Sequence, residues 1–250
     1  MRRYHLQLDD GEVGGYALLP GDPGRCELIA RSLDGARHVR SNREFTTYAG
    51  SVDGAPVCVV STGIGGPSAA ICMEELASLD VHTMIRIGTC GALQDSMQSG
   101  DAVVVHGAVR DDGTSHRYVP ADYPAIADLD VVNALRDSAI RLGTRHRTGI
   151  VLSTDSFFGQ RDMERMPVAA ELHARWDAWV RAGCIAVEME CATVLTVASV
   201  RGVRAGAVLA VIDRSGPGAE PMPDPQQLPL QAAIDVAVGA VRTLVAAGAG

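Results

Sequence analysis

Short apolar runs alternate along this chain with longer runs whose apolar residues recur every three or four positions. The first pattern is typical of buried β-strands and the second of amphipathic α-helices. Strands that alternate with helices predict an α/β architecture, in which helices cover a largely parallel sheet. The Asp53-Gly54 turn between residues 45–50 and 55–61 predicts a hairpin, so the sheet is expected to be mixed.

The pattern places each predicted element as follows. The predicted strands are residues 16–19, 45–50, 55–61, 83–87, 102–105, 150–152, 185–187 and 207–212. The predicted helices are residues 24–33, 67–79, 128–142, 168–182, 190–200 and 226–245. Because no internal repeat or linker interrupts them, residues 1–250 are expected to form a single domain. The proline-rich stretch 216–225 follows a strand end, and we expect it to cover a ligand site as a flap.

The chain has 250 residues and no lysine, since all 22 of its basic residues are arginine. This excludes chemistry that needs a P-loop lysine or a lysine Schiff base. The net charge of −8 argues against a nucleic-acid partner, which usually requires a basic face. Any bound anion must therefore be held by arginine side chains and backbone N–H groups.

The cysteines and the apolar runs indicate in which compartment of the cell the protein is expected. The six cysteines form no C-x-x-C pair and lie mainly in apolar runs, which indicates buried free thiols in a reducing environment. The sequence has no run of about 18 apolar residues and no apolar N-terminal stretch. We therefore expect a cytoplasmic protein that has no membrane partner.

Ligands in open α/β sheets bind beyond the carboxyl ends of the strands, and four predicted strand ends carry unusual residues. The first places Gly21, a helix start and Arg25 together, which suits an anion; a tight turn with a solvated arginine is the alternative. The second, residues 61–68, is rich in glycine but lacks the G-x-G-x-x-G spacing. It therefore does not predict a dinucleotide site.

The other two strand ends carry charges in apolar surroundings. Arg86 lies in an apolar strand, and a buried charge needs a partner, either an anion beyond the strand end or a structural salt bridge. Glu188 and Glu190 flank Met189 where a strand meets a helix. Glu190 suits the vicinal hydroxyls of a sugar; the alternative is a carboxylate that stabilises a helix N-terminus.

Five motifs in this order carry a family resemblance. They are Gly21-Asp22-Pro23-x-Arg25, Arg43-Glu44-Phe45-Thr46-Thr47, Ser61-Thr62-Gly63-Ile64-Gly65-Gly66-Pro67-Ser68, Arg86-Ile87-Gly88-Thr89-x-Gly91-Ala92 and Glu188-Met189-Glu190. The ordered set resembles the hexameric nucleoside phosphorylase family (the purine/uridine phosphorylase family), and within it most resembles the uridine phosphorylases. The resemblance covers nearly the whole chain. It implies one α/β domain, three-layer-like, with helices flanking a central mixed, partly barrel-like sheet.

The resemblance also implies a site completed by two subunits of a homohexamer, a trimer of dimers. The implied phosphate-binding residues are Gly21, Arg25, Arg86 and Thr89, with Arg43 of the partner subunit. The implied ribose-binding residues are Thr89, Met189 and Glu190, with His5 of the partner subunit. The residues implied to hold K⁺ between subunits are Glu44, Ile64 and Ser68. Inorganic phosphate is the implied co-substrate, and no organic cofactor is implied.

The segment 153–162 resembles the base-binding segment of uridine phosphorylases. By that resemblance Phe157 stacks on the base, Gln160 pairs with the amide edge of a pyrimidine, and Arg161 stabilises charge on a carbonyl oxygen. The segment is one residue shorter before Gln160 than in that family, so an exposed polar loop is the alternative.

Asp213 departs from the uridine phosphorylase pattern, in which an apolar residue stands at this strand end. Purine-cleaving relatives carry an aspartate at about this point, which protonates the purine N7. Asp213 is therefore either a purine-directed acid or a loop carboxylate.

The preferred interpretation is a pentosyltransferase of nucleoside salvage that converts uridine and phosphate to uracil and ribose 1-phosphate. Its catalytic residues would be Arg86 and Glu190, with Asp213 as the acid if the base is a purine. One alternative is a purine or broad-specificity nucleoside phosphorylase. Another is a non-catalytic or pathway-specialised protein that binds nucleosides.

Overall fold

The computed structural model describes residues 1–216, 222–224 and 227–248. These residues form ten strands: β1 (Tyr16–Pro20), β2 (Asp34–Asn42), β3 (Phe45–Val52), β4 (Ala55–Val60), β5 (Thr83–Ala92), β6 (Ala102–Asp111), β7 (Ala125–Ile126), β8 (His146–Thr154), β9 (Ala186–Glu188) and β10 (Arg204–Arg214). They also form seven α-helices: α1 (Gly24–Ala30), α2 (Gly66–Ala77), α3 (Leu129–Arg141), α4 (Phe157–Arg161), α5 (Ala169–Arg181), α6 (Cys191–Arg201) and α7 (Gln231–Gly248).

The sheet is mixed, and part of it closes on itself. β5 pairs with both β10 and β9, β10 pairs with β6, and β8 joins β6 to β9, so these five strands form a ring. β1, β4, β3 and β2 extend the sheet outward from β5. The expected α/β fold, with a partly barrel-like mixed sheet flanked by helices, is confirmed.

The predicted hairpin is β3–β4, whose strands pair antiparallel up to Val52 and Ala55. Both turn residues have positive φ, 50° at Asp53 and 80° at Gly54, as a type I′ turn requires. This turn has the twist that matches neighbouring strands, and it fixes the register of the hairpin.

The remaining predicted elements occur with shifted ends. The most consequential shift is in β5, which continues five residues beyond the predicted end at residue 87, so Arg86 lies in mid-strand. Three elements were not predicted: β2, β7 and α4. β2 is an edge strand whose residues are exposed or half-exposed, so it carries no apolar alternation.

Helix α7 is the longest of the described helices and packs against α3. Gly239 permits their close approach, because a Cβ there would lie 2.2 Å from the Ser138 hydroxyl oxygen. By length and composition α7 also meets the criteria for a membrane span, as the core helices of other folds do. Its buried residues join the main hydrophobic core.

The expected flap at residues 216–225 falls largely outside the described residues, which omit 217–221 and 225–226. The start of the last predicted helix, residue 226, lies outside them as well. Within the described part, Met222 lines the cavity presented next.

Candidate active site

A cavity of about 600 Å³ opens where β1, β5, β9 and β10 bring their motifs together. It contains all the predicted site residues except His5 and Arg43. Those lining it are Gly21, Arg25, Glu44, Ile64, Ser68, Arg86, Thr89, Phe157, Gln160, Arg161, Met189, Glu190 and Asp213. The closed ring of strands and the β1–β4 part of the sheet thus gather residues from distant parts of the chain into one concave surface, as expected at strand carboxyl ends.

Arg86 is the buried charge at the floor of this cavity, with 4% of its surface exposed. Its Nη2 donates to Glu190 Oε2, and its Nε forms an ion pair with Glu188 Oε2 at 3.3 Å. Residue 88 must be glycine for this arrangement, since a Cβ there would lie 2.9 Å from Nη2. The structural salt bridge, weighed above as an alternative partner for Arg86, is therefore present.

The salt bridge leaves one edge of the Arg86 guanidinium uncommitted. Nη1 is buried and has no hydrogen-bond partner among the described residues. It lies on the side of Gly21, where a Cβ would be 4.0 Å from it. Burial by itself would lower the pKa of Arg86, but the carboxylates of Glu190 and Glu188 together raise it. Arg86 thus remains charged while one donor faces the cavity.

Arg25 brings a second guanidinium to the same cavity from the first turn of α1. Asp22 holds that turn by accepting the Gly24 N–H at 2.8 Å, and its Oδ2 lies 3.8 Å from Arg25 Nε. Burial lowers the pKa of Arg25, and the positive charge of Arg86 lowers it further. The cavity thus brings together two guanidinium groups whose charges interact, and guanidinium groups suit the binding of an oxyanion.

The two glutamates of the fifth motif, Glu188 and Glu190, divide the roles that the sequence left open. Glu188 accepts the N–H groups of Glu190 at 2.8 Å and Cys191 at 2.9 Å, and also the Ser153 hydroxyl. It is therefore the carboxylate at the N-terminus of α6. Glu188 and Ser153 were missed as positioning residues; the available signal was a carboxylate just before a predicted helix.

Glu190 faces the cavity and is 6% exposed. Its Oε1 accepts the Gly65 N–H at 2.6 Å, and its Oε2 accepts from Arg86. Burial raises the pKa of Glu190, and the charge of Arg86 opposes part of that rise. The glycine-rich segment before α2 thus contributes a backbone donor that fixes this carboxylate.

The far end of the cavity is built by α4, which Ser156 caps by accepting the Gly159 N–H at 3.0 Å. Gln160 is 8% exposed, so these residues are not an exposed polar loop. Arg161 donates to Asp213 Oδ2, and its guanidinium carbon lies 5.7 Å from the centre of the Phe157 ring. An aromatic face, an amide and a guanidinium therefore converge on one volume.

Asp213 is not an exposed loop carboxylate either, since its side chain is 7% exposed. It has room because residue 91 is glycine: a Cβ there would lie 1.7 Å from Ser215 Oγ and 3.0 Å from Asp213 Oδ1. Within the described part of the chain, Oδ1 is buried without a hydrogen-bond partner. One oxygen of Asp213 thus pairs with Arg161, whereas the described residues leave the other unsatisfied.

His5 and Arg43 lie outside the cavity of this subunit. The Nδ1 of His5 contacts Glu75 Oε1 at 2.7 Å, and Glu75 also accepts the backbone N–H of His5 at 2.9 Å. Arg43 is exposed and adopts a φ of 54° in the two-residue turn between β2 and β3. Glu75, which orients the imidazole, was not identified from the sequence, because it reads as an ordinary helix carboxylate.

At the mouth of the cavity, Ser68 Oγ lies 2.9 Å from Glu44 Oε1 and 2.6 Å from the Thr62 carbonyl oxygen. One hydroxyl proton cannot satisfy both acceptors, so an oxygen there is left to another partner. The neighbouring Ile64 is 78% exposed. Among the described residues, no cluster of three His, Cys, Asp or Glu side chains is arranged to hold a metal.

Fold and site together define an α/β protein whose cavity combines two arginines with a buried carboxylate. The family model described as the phosphorylase superfamily matches residues 16–246. The chain therefore belongs to the phosphorylase superfamily.

Three relatives illustrate the family. The chain is 44% identical to a uridine phosphorylase of Treponema pallidum (strain Nichols) over 97% of this chain and 94% of that protein. It is 41% identical to a uridine phosphorylase of Escherichia coli (strain K12) over 84% of this chain and 85% of that protein. It is also 41% identical to a guanosine phosphorylase of Halorubrum lacusprofundi over 83% of this chain and 81% of that protein.

Proposed function

We propose that this protein is a nucleoside phosphorylase that converts uridine and inorganic phosphate to uracil and ribose 1-phosphate. The observation that carries the proposal is the arrangement of Arg86. Its guanidinium is held by Glu188 and Glu190, while its Nη1 faces Gly21 in a cavity that also contains Arg25. A phosphate at that point would neutralise both arginines and lie beside the carboxylate assigned to the sugar.

In this proposal Gly21, Arg25, Arg86 and Thr89 bind phosphate. The bidentate geometry of arginine suits phosphate oxygens, and fixed donors aim the nucleophile at the sugar. A phosphate oxygen forms a bond to C1′ as the C1′–N bond breaks, and the bonding electrons leave with the base. The protein thus needs no nucleophile of its own.

Glu190, Met189 and Thr89 hold the ribose in this proposal. As the glycosidic bond breaks, positive charge develops on the sugar ring. The Glu190 carboxylate, fixed by Gly65 and Arg86, is already in place to stabilise it. Such preorganised charge is often the largest contribution to catalysis in a dry site.

Phe157, Gln160 and Arg161 bind the base in this proposal. The ring stacks on the base, the amide pairs with its edge, and Arg161 stabilises the charge that the leaving uracil acquires on a carbonyl oxygen. The burial of Gln160 and the convergence of all three on one cavity support this assignment. The uridine phosphorylase names of the relatives from Treponema pallidum and Escherichia coli favour uracil.

We further propose that residues 1–250 form one domain that assembles as a homohexamer in the cytoplasm and acts in nucleoside salvage. His5 and Arg43 would each complete the site of the partner subunit, which accounts for their positions outside the cavity of their own. K⁺ between subunits would be coordinated by oxygen atoms of Glu44, Ser68 and the exposed Ile64. The mass in solution tests the hexamer, and its dependence on added K⁺ tests whether the ion stabilises the contact between subunits.

The decisive experiment incubates the protein with uridine, thymidine, inosine, guanosine and adenosine, each with and without phosphate. We expect uracil and ribose 1-phosphate from uridine, and only when phosphate is present. Free ribose formed equally well without phosphate would indicate a hydrolase. Nucleoside binding with no turnover of any substrate would leave only the non-catalytic interpretation.

A second candidate, cleavage of purine nucleosides, is favoured by Asp213. Asp213 lines the cavity and its buried Oδ1 has no hydrogen-bond partner among the described residues, so in this candidate a protonated Asp213 donates to a purine ring nitrogen. The guanosine phosphorylase name of the Halorubrum lacusprofundi relative agrees with this reading. If it is correct, Asp213→Asn abolishes guanosine cleavage, whereas Asp95→Asn, a change at an exposed carboxylate, leaves it intact.

A further inference from the structure

A second, smaller cavity lies behind the base end of the proposed site. Its volume is about 50 Å³, and its walls come from the end of β8, from α4 and from α5. Gln160 lines both this cavity and the large one. Gln160, the side chain proposed to recognise the base, therefore separates the two cavities.

Two of the residues that line the small cavity each carry a buried polar group, and the two groups have complementary hydrogen-bonding roles. Gln160 Oε1 is an acceptor and Trp179 Nε1 is a donor, and neither has a hydrogen-bond partner in residues 1–216, 222–224 and 227–248. Gln160 is 8% exposed, so bulk water does not satisfy its oxygen. Buried polar groups in native proteins are nearly always paired, so this donor and acceptor require an explanation.

The dimensions and the walls of the cavity match those of a water site. A bound water needs about 10–15 Å³ and two to four polar partners, and this cavity offers more volume than one water needs. Thr154, Ser156 and Arg175 add polar atoms to the wall. An apolar filling would leave both unpartnered groups unsatisfied.

We propose that this cavity binds water that accepts the Trp179 N–H and donates to Gln160 Oε1, and that Trp179 thereby sets the orientation of the Gln160 amide. This inference rests on the proposed function. With one lone pair of Oε1 occupied by the water, the other remains for the ring N–H of the base, and the Nε2 donors face a carbonyl oxygen. Donors at that point pair with a carbonyl oxygen of uracil and oppose the amino group of cytosine. Trp179 is thus a positioning residue for base specificity, although it lies outside the large cavity.

The chain contains only two tryptophans, which supplies a matched control. Trp176 lies on the same helix and lines the same cavity, but its Nε1 is not among the buried unpartnered donors. Trp179→Phe removes the donor and keeps an aromatic ring, and Trp176→Phe makes the same change at a position that does not hold Gln160. Thermal unfolding of both variants establishes that each is folded.

The first measurement compares the inhibition constants of uracil and cytosine in uridine phosphorolysis. We expect Trp179→Phe to reduce the preference for uracil about tenfold, which corresponds to about 1.4 kcal/mol, with the KM for phosphate unchanged. Trp176→Phe should keep the wild-type preference. A folded Trp179→Phe variant with unaltered preference overturns the proposal.

The second measurement does not depend on activity. A crystal structure should show water within hydrogen-bond distance of both Trp179 Nε1 and Gln160 Oε1, and a dry cavity overturns the proposal. In the Trp176→Phe variant the remaining indole N–H signal reports on Trp179 alone, and added uracil should shift it. If no nucleoside is cleaved but the water is present, the proposed function fails while the water site stands.

Discussion

Replacing Glu188 by glutamine should weaken a buried network that joins three elements of the site. Its side chain is 1% exposed and accepts from the backbone of Glu190 and Cys191 and from Ser153, while Arg86 lies 3.3 Å away. Glutamine keeps the shape but removes the charge, and it places an NH₂ group among neighbours of which only the Ser153 hydroxyl can accept a hydrogen bond. At least one charged hydrogen bond is lost whichever way the amide turns.

The expected loss follows from those contacts. A hydrogen bond to a charged group contributes about 1.5–3 kcal/mol, and a buried donor left unpaired costs about 1–3 kcal/mol. Since Arg86 keeps Glu190 as a partner, we expect Glu188→Gln to lower the free energy of unfolding by about 2–4 kcal/mol. In a chain of this length each kcal/mol lowers the Tm by about 2–4 °C.

A double-mutant cycle isolates the network from a general loss of packing. Ser153 donates to Glu188 and accepts the Ala192 N–H at 2.9 Å, so Ser153→Ala should cost much less once Glu188 has been changed. We expect a coupling of about 1–2 kcal/mol, within the usual range for residues in contact. Ser138→Ala, which removes a buried hydroxyl in α3, is the control and should be additive with Glu188→Gln.

The measurement is urea unfolding of the wild type, the three single variants and the two double variants. If the effects of Glu188→Gln and Ser153→Ala add to within about 0.5 kcal/mol, the two side chains do not act as a unit and the reasoning is refuted. An unchanged stability of Glu188→Gln alone would refute it equally, since the contacts would then carry no net energy.

Three further predictions concern other parts of the molecule. All six cysteines are buried, and burial raises the pKa of Cys26 and of Cys58 to about 12, so a thiol reagent at pH 8 should modify the native protein far more slowly than the unfolded chain. Rapid native reaction would contradict their placement. Burial raises the pKa of Glu190, so its charge is lost as the pH falls through that raised value. An ordinary glutamate has a pKa of about 4.3. The fall of kcat/KM on the acid side should therefore occur at a higher pH than that, and it should be absent in Glu190→Gln. The same acid fall in the variant would assign it to another group. Gly91→Ala places a Cβ 1.7 Å from Ser215 Oγ, so kcat/KM should fall, and the added change Ser215→Gly should restore part of it. No recovery in the double variant would show that Ser215 is not the obstacle.

Much of the fold was predictable because it depends on local patterns. Apolar runs identify the buried strands, and an Asp-Gly pair identifies the β3–β4 turn. β2 was not predicted because an edge strand can be polar on both faces, and its pairing with β3 leaves no apolar alternation in the sequence. The end of β5 was missed for the opposite reason: Gly88 and Gly91 read as a loop, but they are strand residues that make room for side chains.

The two ends of the site differ in how far the sequence could predict them. Arg25, Arg86 and Glu190 each lie in a short motif, and each carries a charge in a context that requires a partner. The sequence therefore indicates that each of these charges has a partner. It does not indicate that Glu188 and Glu190 are the partners of Arg86 within the protein.

The base end cannot be predicted in the same way, because its chemistry depends on a pair that is separated by 52 residues. Arg161 ends α4, the helix that follows β8, and Asp213 is the next-to-last residue of β10. They meet because β8 and β10 both belong to the closed ring. Each alone reads as an ordinary loop charge. In the proposed reaction, this ion pair limits how freely Arg161 can turn to a departing pyrimidine. Under the proposed function, this pairing, which depends on the closure of the sheet, bears on the choice between uracil and a purine. If Arg161 is the residue that decides it, Asp213→Asn should raise kcat/KM for uridine relative to kcat/KM for guanosine, because Arg161 is then released from the carboxylate.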